Sequence, residues 1–203
     1  MKMDVLKCNT VGIFTGDGID LLRVVREGDS LAGSTITSTS ISNDDWQNER
    51  GQIAYEATLA NGDQVVRRWT PDLHWRTNAN GSWDSPAKWT LGLKPADVHD
   101  VYIDPTMTSV VTGPNSDLAV KSLSVGGGSG HATLNLTGSE LEAIEQIFIG
   151  QNGEISGTGQ LSGMTLVDGT LSPGNSAGTL GVQGSLEFGS TAILEIELGG
   201  LLD

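Results

Sequence analysis

Three closely spaced tryptophans, Trp75, Trp83 and Trp89, are the residues of this chain best suited to binding chemistry. The flat face of an indole ring can stack on a sugar ring, so the group could bind carbohydrate. The same large rings could instead cover the open end of a stack of β-strands, with their N–H groups reaching water. The sequence favours the cap and keeps sugar stacking on these three residues as the alternative.

Three acidic residues in predicted turns, Asp29, Asp44 and Asp45, could bind a metal ion. Carboxylate oxygens are the ligands that calcium prefers, but the spacing of these residues is not that of an EF-hand loop. An ordinary acidic turn is therefore the favoured interpretation. Calcium at these three residues is the only cofactor that the sequence suggests.

The other reactive side chains do not form a catalytic pattern. His74 and His99 have no third ligand at a spacing that suits zinc. Glu195 and Glu197 share one face of a predicted strand, and paired carboxylates can hydrolyse glycosidic bonds. They alternate with apolar residues, however, and are interpreted as the solvated face of that strand. Ser172 does not lie in the Gly-Xaa-Ser-Xaa-Gly pattern of a nucleophile elbow. The chain is therefore predicted not to be an enzyme and to hold no transition metal or organic cofactor.

The charge of the chain limits its partners. A net charge of −14 disfavours nucleic acids and anionic membranes, which bind lysine and arginine. Residues 1–70 carry 10 acidic and 7 basic residues, and residues 71–203 carry 15 and 4. The increase in negative charge after residue 70 predicts two domains, 1–70 and 71–203. No apolar stretch is long enough to predict membrane insertion, and both ends of the chain are interpreted as cuts in a longer protein.

The first domain is predicted to contain short antiparallel strands. Residues 53–59 alternate between apolar and polar, as a half-buried strand does. Asn61 and Gly62 follow, a pair typical of hairpin turns because both residues tolerate positive φ. Residues 64–69 then form the partner strand.

The second domain is predicted to be a parallel β-solenoid or a β-sandwich. Residues 126–203 hold 18 of the 28 glycines, which separate short alternating strands. A single helix candidate, residues 139–145, begins with a capping-box spacing but is too short to matter. An open strand edge after Leu198 is expected to recruit partners, including a second copy of the chain. The predicted interior consists of Leu123, Val125, Leu134, Leu136, Ile147, Ile149, Leu166, Leu171, Leu180, Val182, Leu194 and Ile196.

The first domain contains the pattern GIF…REGD…NxxGQIAY. On this pattern it resembles one unit of a repeat found in secreted proteins of planctomycetes and similar bacteria. The resemblance implies one unit of a propeller-like or β-sheet array. The departure from the pattern is at residues 43–46. The matching residues are Gly12, Ile13, Phe14, Arg26, Glu27, Gly28, Asp29, Gly33, Asn48, Gly51, Gln52, Ala54, Tyr55, Ala57, Leu59 and Gly62.

The most specific string of the second domain is LSPGNSAGTL at residues 171–180, supported by residues 149–159. On these residues the second domain resembles the autotransporter passenger-associated repeat and sorting-tagged bacterial surface proteins, over about residues 69–198. The tryptophan segment, residues 75–89, resembles a motif common in such proteins. Within the string, Pro173, Gly174 and Asn175 are predicted to form a tight turn, with the asparagine amide laddering along the stack.

Together these features predict a non-catalytic structural or adhesive segment of a secreted bacterial cell-surface protein. Its expected location is extracellular or at the cell surface, and its expected partners are surface glycans or further copies of itself. The alternative is a carbohydrate-binding module that uses the tryptophans and is attached to an enzyme outside this chain.

Overall fold

The computed structural model describes residues 11–41, 46–76, 78–174 and 178–196. The structure is 57% strand and 3% helix, which confirms the predicted all-β class. The chain divides into two compact units, one up to Pro71 and one from Asp72 onwards. This division falls beside the charge step near residue 70.

The first unit is built from six antiparallel strands in two small sheets. A two-stranded hairpin pairs β1 with β2, and a four-stranded sheet has the order β3-β4-β5-β6. Gly62, with φ of +90°, turns the chain between β5 and β6, as the Asn-Gly pair predicts. The strands are β1 (Gly12–Gly16), β2 (Leu21–Arg26), β3 (Ser30–Leu31), β4 (Ser34–Ser40), β5 (Ile53–Leu59) and β6 (Gln64–Trp69).

The second unit is a parallel β-solenoid of about four turns. Its strands pair in parallel with those one turn before and after, so the sandwich alternative is wrong. The strands are β7 (Leu73–His74), β8 (Gly81–Ser82), β9 (Asp100–Ile103), β10 (Ser109–Thr112), β11 (Leu118–Val125), β12 (Ala132–Ile149), β13 (Gly153–Ser162), β14 (Thr165–Val167), β15 (Thr170–Pro173), β16 (Leu180–Gln183), β17 (Leu186–Phe188) and β18 (Ile193–Leu194).

Each complete turn of the solenoid has three faces. Face A stacks β7, β9, the ends of β11 and β12, then β14 and β17. Face B stacks β8, β10, the starts of β12 and β13, then β15 and β18. Face C stacks the start of β11, the middle of β12, the end of β13 and β16. We call the strands at one level of the stack a rung.

Apolar columns run through the interior of the solenoid. On face A, Leu73, Val101, Leu123 and Ile147 pair in successive rungs and are all buried. Burying a side chain of this size contributes about 1.5–3 kcal/mol, so these columns dominate the stability of the stack. Most of the predicted interior is confirmed, namely Leu123, Val125, Leu134, Leu136, Ile147, Ile149, Leu171 and Leu180.

Four of the predicted interior residues are not buried. Leu166 lies between Thr165 and Val167, which are the buried members of β14, so its side chain points outwards. Val182 is only partly buried. Leu194 and Ile196 are 49% and 60% exposed. Leu194 pairs with the buried Leu171, but no further described rung covers it.

Two glycines allow neighbouring rungs to approach closely. Gly126 and Gly157 adopt φ of +82° and +96°, a region that strains other residues. A Cβ at Gly126 would collide with the backbone of Gly153, and one at Gly157 would collide with the Leu136 carbonyl oxygen. Gly174 forms an isolated bridge with Gly157. Asn175, with its predicted amide ladder, lies outside the described residues.

Candidate functional site

The three tryptophans lie together in the first turn of the solenoid. The ring of Trp89 meets those of Trp75 and Trp83 edge to face, with centroids 5.1 and 4.9 Å apart. The indole N–H of Trp89 donates a hydrogen bond to the Trp83 carbonyl oxygen at 2.8 Å. A short 3₁₀ helix, Pro86–Lys88, and a turn at Thr90–Gly92 hold Trp89 in place.

Burial leaves these indoles no face for a ligand. Trp83 and Trp89 are 0% exposed, and Trp75 is 3% exposed. All three belong to the same buried cluster as the apolar columns of the solenoid. Sugar stacking on Trp75, Trp83 and Trp89 requires an open ring face, and this structure offers none. The placement favours packing at the first turn over sugar stacking.

Of the three acidic residues predicted to bind calcium, the structure describes Asp29. Asp29 accepts a hydrogen bond from the Arg26 backbone N–H at 2.9 Å and one from the Arg23 guanidinium at 3.3 Å. It therefore closes the turn after β2. Asp44 and Asp45 lie outside the described residues. Within the described parts of the chain, no three His, Cys, Asp or Glu side chains come together as a metal site.

The two histidines near the tryptophans have separate surroundings. His99 is fully buried, and its Nδ1 accepts a hydrogen bond from the Ala96 N–H at 3.0 Å. His74 is half-exposed on face A, where its Nδ1 lies 2.9 Å from Asp104 Oδ2. The ring of His74 stacks on Tyr102 with centroids 4.7 Å apart and planes 12° apart.

A polar cluster on the outside of face A includes Asp72, Asp100, Lys121 and Ser122. Asp100 accepts hydrogen bonds from the Lys121 ammonium at 2.6 Å and from the Ser122 hydroxyl. Asp72 and Asp100 precede Leu73 and Val101, which are paired, so the two acids occupy adjacent rungs. This cluster was not predicted from the sequence, because local alternation does not reveal which strands stack as neighbouring rungs.

The two acids of the cluster have opposite pKa shifts. Partial burial, followed by the charge of Asp100, raises the pKa of Asp72 above its usual range. Partial burial also acts to raise the pKa of Asp100, but the hydrogen bonds from Lys121 and Ser122 outweigh it and leave that pKa lowered. Two neighbouring acids whose pKa values are shifted in opposite directions resemble the pair that cleaves glycosidic bonds. Both oxygens of Asp100 are engaged by neighbouring side chains, however, which favours a structural ion pair.

The pair of His74 and Asp104 makes stability depend on pH. The hydrogen bond to Asp104 raises the pKa of His74, and burial offsets only part of this rise. Because the folded pKa lies above the unfolded value of about 6.5, the stabilisation is complete below pH 6.5 and is lost as pH rises through the folded pKa. His74→Gln should therefore cost more stability at pH 6 than at pH 8.5, as measured by urea unfolding.

The exposed His131 supplies the control for this experiment. His131→Gln makes the same change at an exposed position away from Asp104 and Tyr102, and it should not reproduce the larger loss of stability at pH 6. An equal loss of stability at both pH values in His74→Gln would contradict a role for the protonated ring.

Among the described residues, none of the helices has the length and apolar character needed to cross a membrane. No protein-family model matches the chain, and comparison with curated proteins and with solved structures likewise finds no match.

Proposed function

We propose that the chain is a non-catalytic structural or adhesive segment of a secreted bacterial cell-surface protein. The observation that carries the proposal is the position of the residues best suited to binding a ligand. The three clustered tryptophans are packed into the apolar interior of a β-solenoid and are not displayed around a cleft. A repetitive stack with a continuous core suits a spacer that holds its outer faces at fixed distances.

A side-chain ladder on the outside of face C reinforces this stack. The Gln160 amide donates hydrogen bonds to Glu140 at 3.1 Å and to Gln183 at 2.8 Å. These three residues belong to three successive rungs. The ladder links neighbouring turns through polar contacts on the solvent-facing side of the stack.

The charge distribution supports an extracellular setting. After Lys121 the sequence contains no lysine or arginine, while acidic residues continue to its end. A surface that carries mainly negative charge keeps a protein soluble and repels anionic polymers. The resemblance to secreted and surface-displayed repeats supports the same location.

The location can be tested on intact cells of the source organism. An antibody raised against residues 72–196 should label the outside of the cells, and added protease should remove that signal. A signal that resists protease until the cells are lysed would contradict the proposal.

The proposal that the chain is non-catalytic would be contradicted by enzymatic activity. We expect no release of reducing ends or unsaturated products when the protein is incubated with neutral and acidic polysaccharides. Activity that disappears in Asp72→Asn or Glu195→Gln, with near-ultraviolet circular dichroism unchanged, would show that the chain is an enzyme. Glu195 is exposed, so its substitution should not disturb folding. Glu197 lies outside the described residues.

A further inference from the structure

One outward column of face A contains aromatic side chains on both sides of a gap. His74, Tyr102, Ser124 and Phe148 pair in four successive rungs. Each lies between buried neighbours of its strand and is itself partly exposed, so all four point to the outside. Ser124 is the one member of this series without a ring.

The gap leaves one face of the Tyr102 ring uncovered by its own column. His74 stacks on the opposite face, with centroids 4.7 Å apart and nearly parallel planes. The free face is therefore directed along the stack towards the rung of Ser124, whose side chain ends at a hydroxyl. Since rungs are about 4.8 Å apart, Tyr102 and Phe148 are attached about 10 Å apart. One further ring at the level of Ser124 would fill this space.

Polar groups border the gap on one side. Ser122 lies two residues before Ser124 on the same strand face, and its hydroxyl donates to Asp100. The Lys121 ammonium is held 2.6 Å from Asp100 and 3.9 Å from Glu145. A carboxylate has about four acceptor positions and an ammonium has three donors, so both groups can make further hydrogen bonds. On the other side lies Gly127, where an added Cβ would be 3.8 Å from the Ser124 hydroxyl oxygen, so this residue has no side chain to close the gap.

The charges around the gap select among ring-shaped ligands. Asp72, Asp100, Asp104 and Glu145 outnumber the one permanent positive charge, that of Lys121. Acidic sugars and phosphate esters would be repelled by this surface. A neutral sugar ring suits it better, because it offers C–H groups to the Tyr102 face and hydroxyls to both the donors and the acceptors beside it.

We propose that the gap at Ser124 is a binding subsite for one ring of a neutral glycan, with Tyr102 as the stacking platform and Asp100, Lys121 and Ser124 as hydrogen-bonding partners. This inference rests on the proposed function as an adhesive segment and names its ligand class. It differs from the site predicted from the sequence, because it uses none of the tryptophans.

Binding of defined oligosaccharides tests the subsite. Cellohexaose, maltohexaose and mannohexaose serve as neutral probes, with hexagalacturonate as the acidic probe and hexa-arginine as the cationic one. Calorimetry and saturation-transfer NMR should detect at least one neutral probe, and hexagalacturonate should bind at least about tenfold more weakly.

Two substitutions separate stacking from filling of the gap. Tyr102→Ala should weaken binding about tenfold or more through loss of the ring face, and Tyr102→Phe should retain it. Ser124→Leu should block binding while leaving Tyr102 in place. Ser156→Leu, the same change on an outward position of face B, is the matched control and should bind as the wild type does.

The proposal is overturned if no neutral hexasaccharide binds, if hexa-arginine or hexagalacturonate binds in preference, or if Ser124→Leu and Tyr102→Ala both bind normally. These results would leave the cell-surface location and the absence of catalysis untouched, because protease treatment of cells and polysaccharide assays measure those independently.

Discussion

Leu134→Asp should abolish the cooperative folding of the solenoid unit. Leu134 is fully buried, between Val111 and Ile155 in the inner column of face B. Truncating a buried leucine costs about 2.7–5 kcal/mol, and an unpaired buried carboxylate adds several more. Since a domain of this kind has about 5–15 kcal/mol of stability in total, the variant should lose the near-ultraviolet circular dichroism of the packed tryptophans.

Ile144→Asp is the matched control, because Ile144 lies on the same strand, β12, but is 60% exposed. It should change the free energy of unfolding by no more than about 0.5 kcal/mol. A Leu134→Asp protein with a wild-type urea midpoint would show that the inner column does not carry the stability of the stack.

Trp89→Ala should destabilise the solenoid unit by about 3–5 kcal/mol, the usual cost of removing a large buried ring. The substitution removes two edge-to-face contacts and a hydrogen bond to the Trp83 carbonyl oxygen. It also leaves a cavity next to Trp75, which is itself buried. Urea unfolding followed by circular dichroism measures the effect.

Phe188→Ala provides the comparison, because Phe188 is an aromatic residue of the same unit that is 46% exposed. Its loss should cost less than about 1 kcal/mol. If Trp89→Ala were as stable as the wild type yet lost affinity for a glycan, the tryptophans would be a ligand site after all.

Local sequence signals were sufficient for the strands and their turns. Alternation in residues 53–59, followed by Asn61 and Gly62, predicted the hairpin of β5 and β6 correctly. The weak helix signal at Ser139 and Glu142 was overridden, because that segment pairs with the rungs on either side as part of β12. In a stack of this kind, neighbouring rungs determine the conformation of a short ambiguous segment.

The alignment of the rungs could not be read from the sequence. The separation between paired residues of face A changes from rung to rung, so no fixed period in the sequence reveals the pairs. It is 22, 24, 18 and 21 residues along the series Val101, Leu123, Ile147, Thr165 and Leu186. Unless the pairing of the rungs is known, the sequence does not show that Tyr102 and Ser124 belong to one column. The outward orientation of Leu166 was missed because the buried partner in its strand is a threonine, Thr165.

The sequence favoured a cap for the tryptophans but could not exclude a sugar-binding platform. An aromatic platform and an aromatic cap need the same residue type at similar spacings. Only the fold shows that the loops around Pro86–Lys88 bring Trp89 inwards, against rings from two other segments.

The corners of the solenoid differ in how much added chain they can accommodate. From face C to face A, β11 and β12 continue without interruption, and later turns use only residues 163–164 and 184–185. From face A to face B, the connections vary between two and six residues, at 104–108, 126–131, 150–152, 168–169 and 189–192. Within residues 126–131, Gly126, Gly128 and Gly130 pack against neighbouring rungs, whereas an added Cβ at Gly127 would meet no atom closer than 3.8 Å. A foreign peptide inserted at Gly127 would therefore project beside the stack with the rungs intact. The same graft at residues 163–164 would separate strands that are paired on both sides.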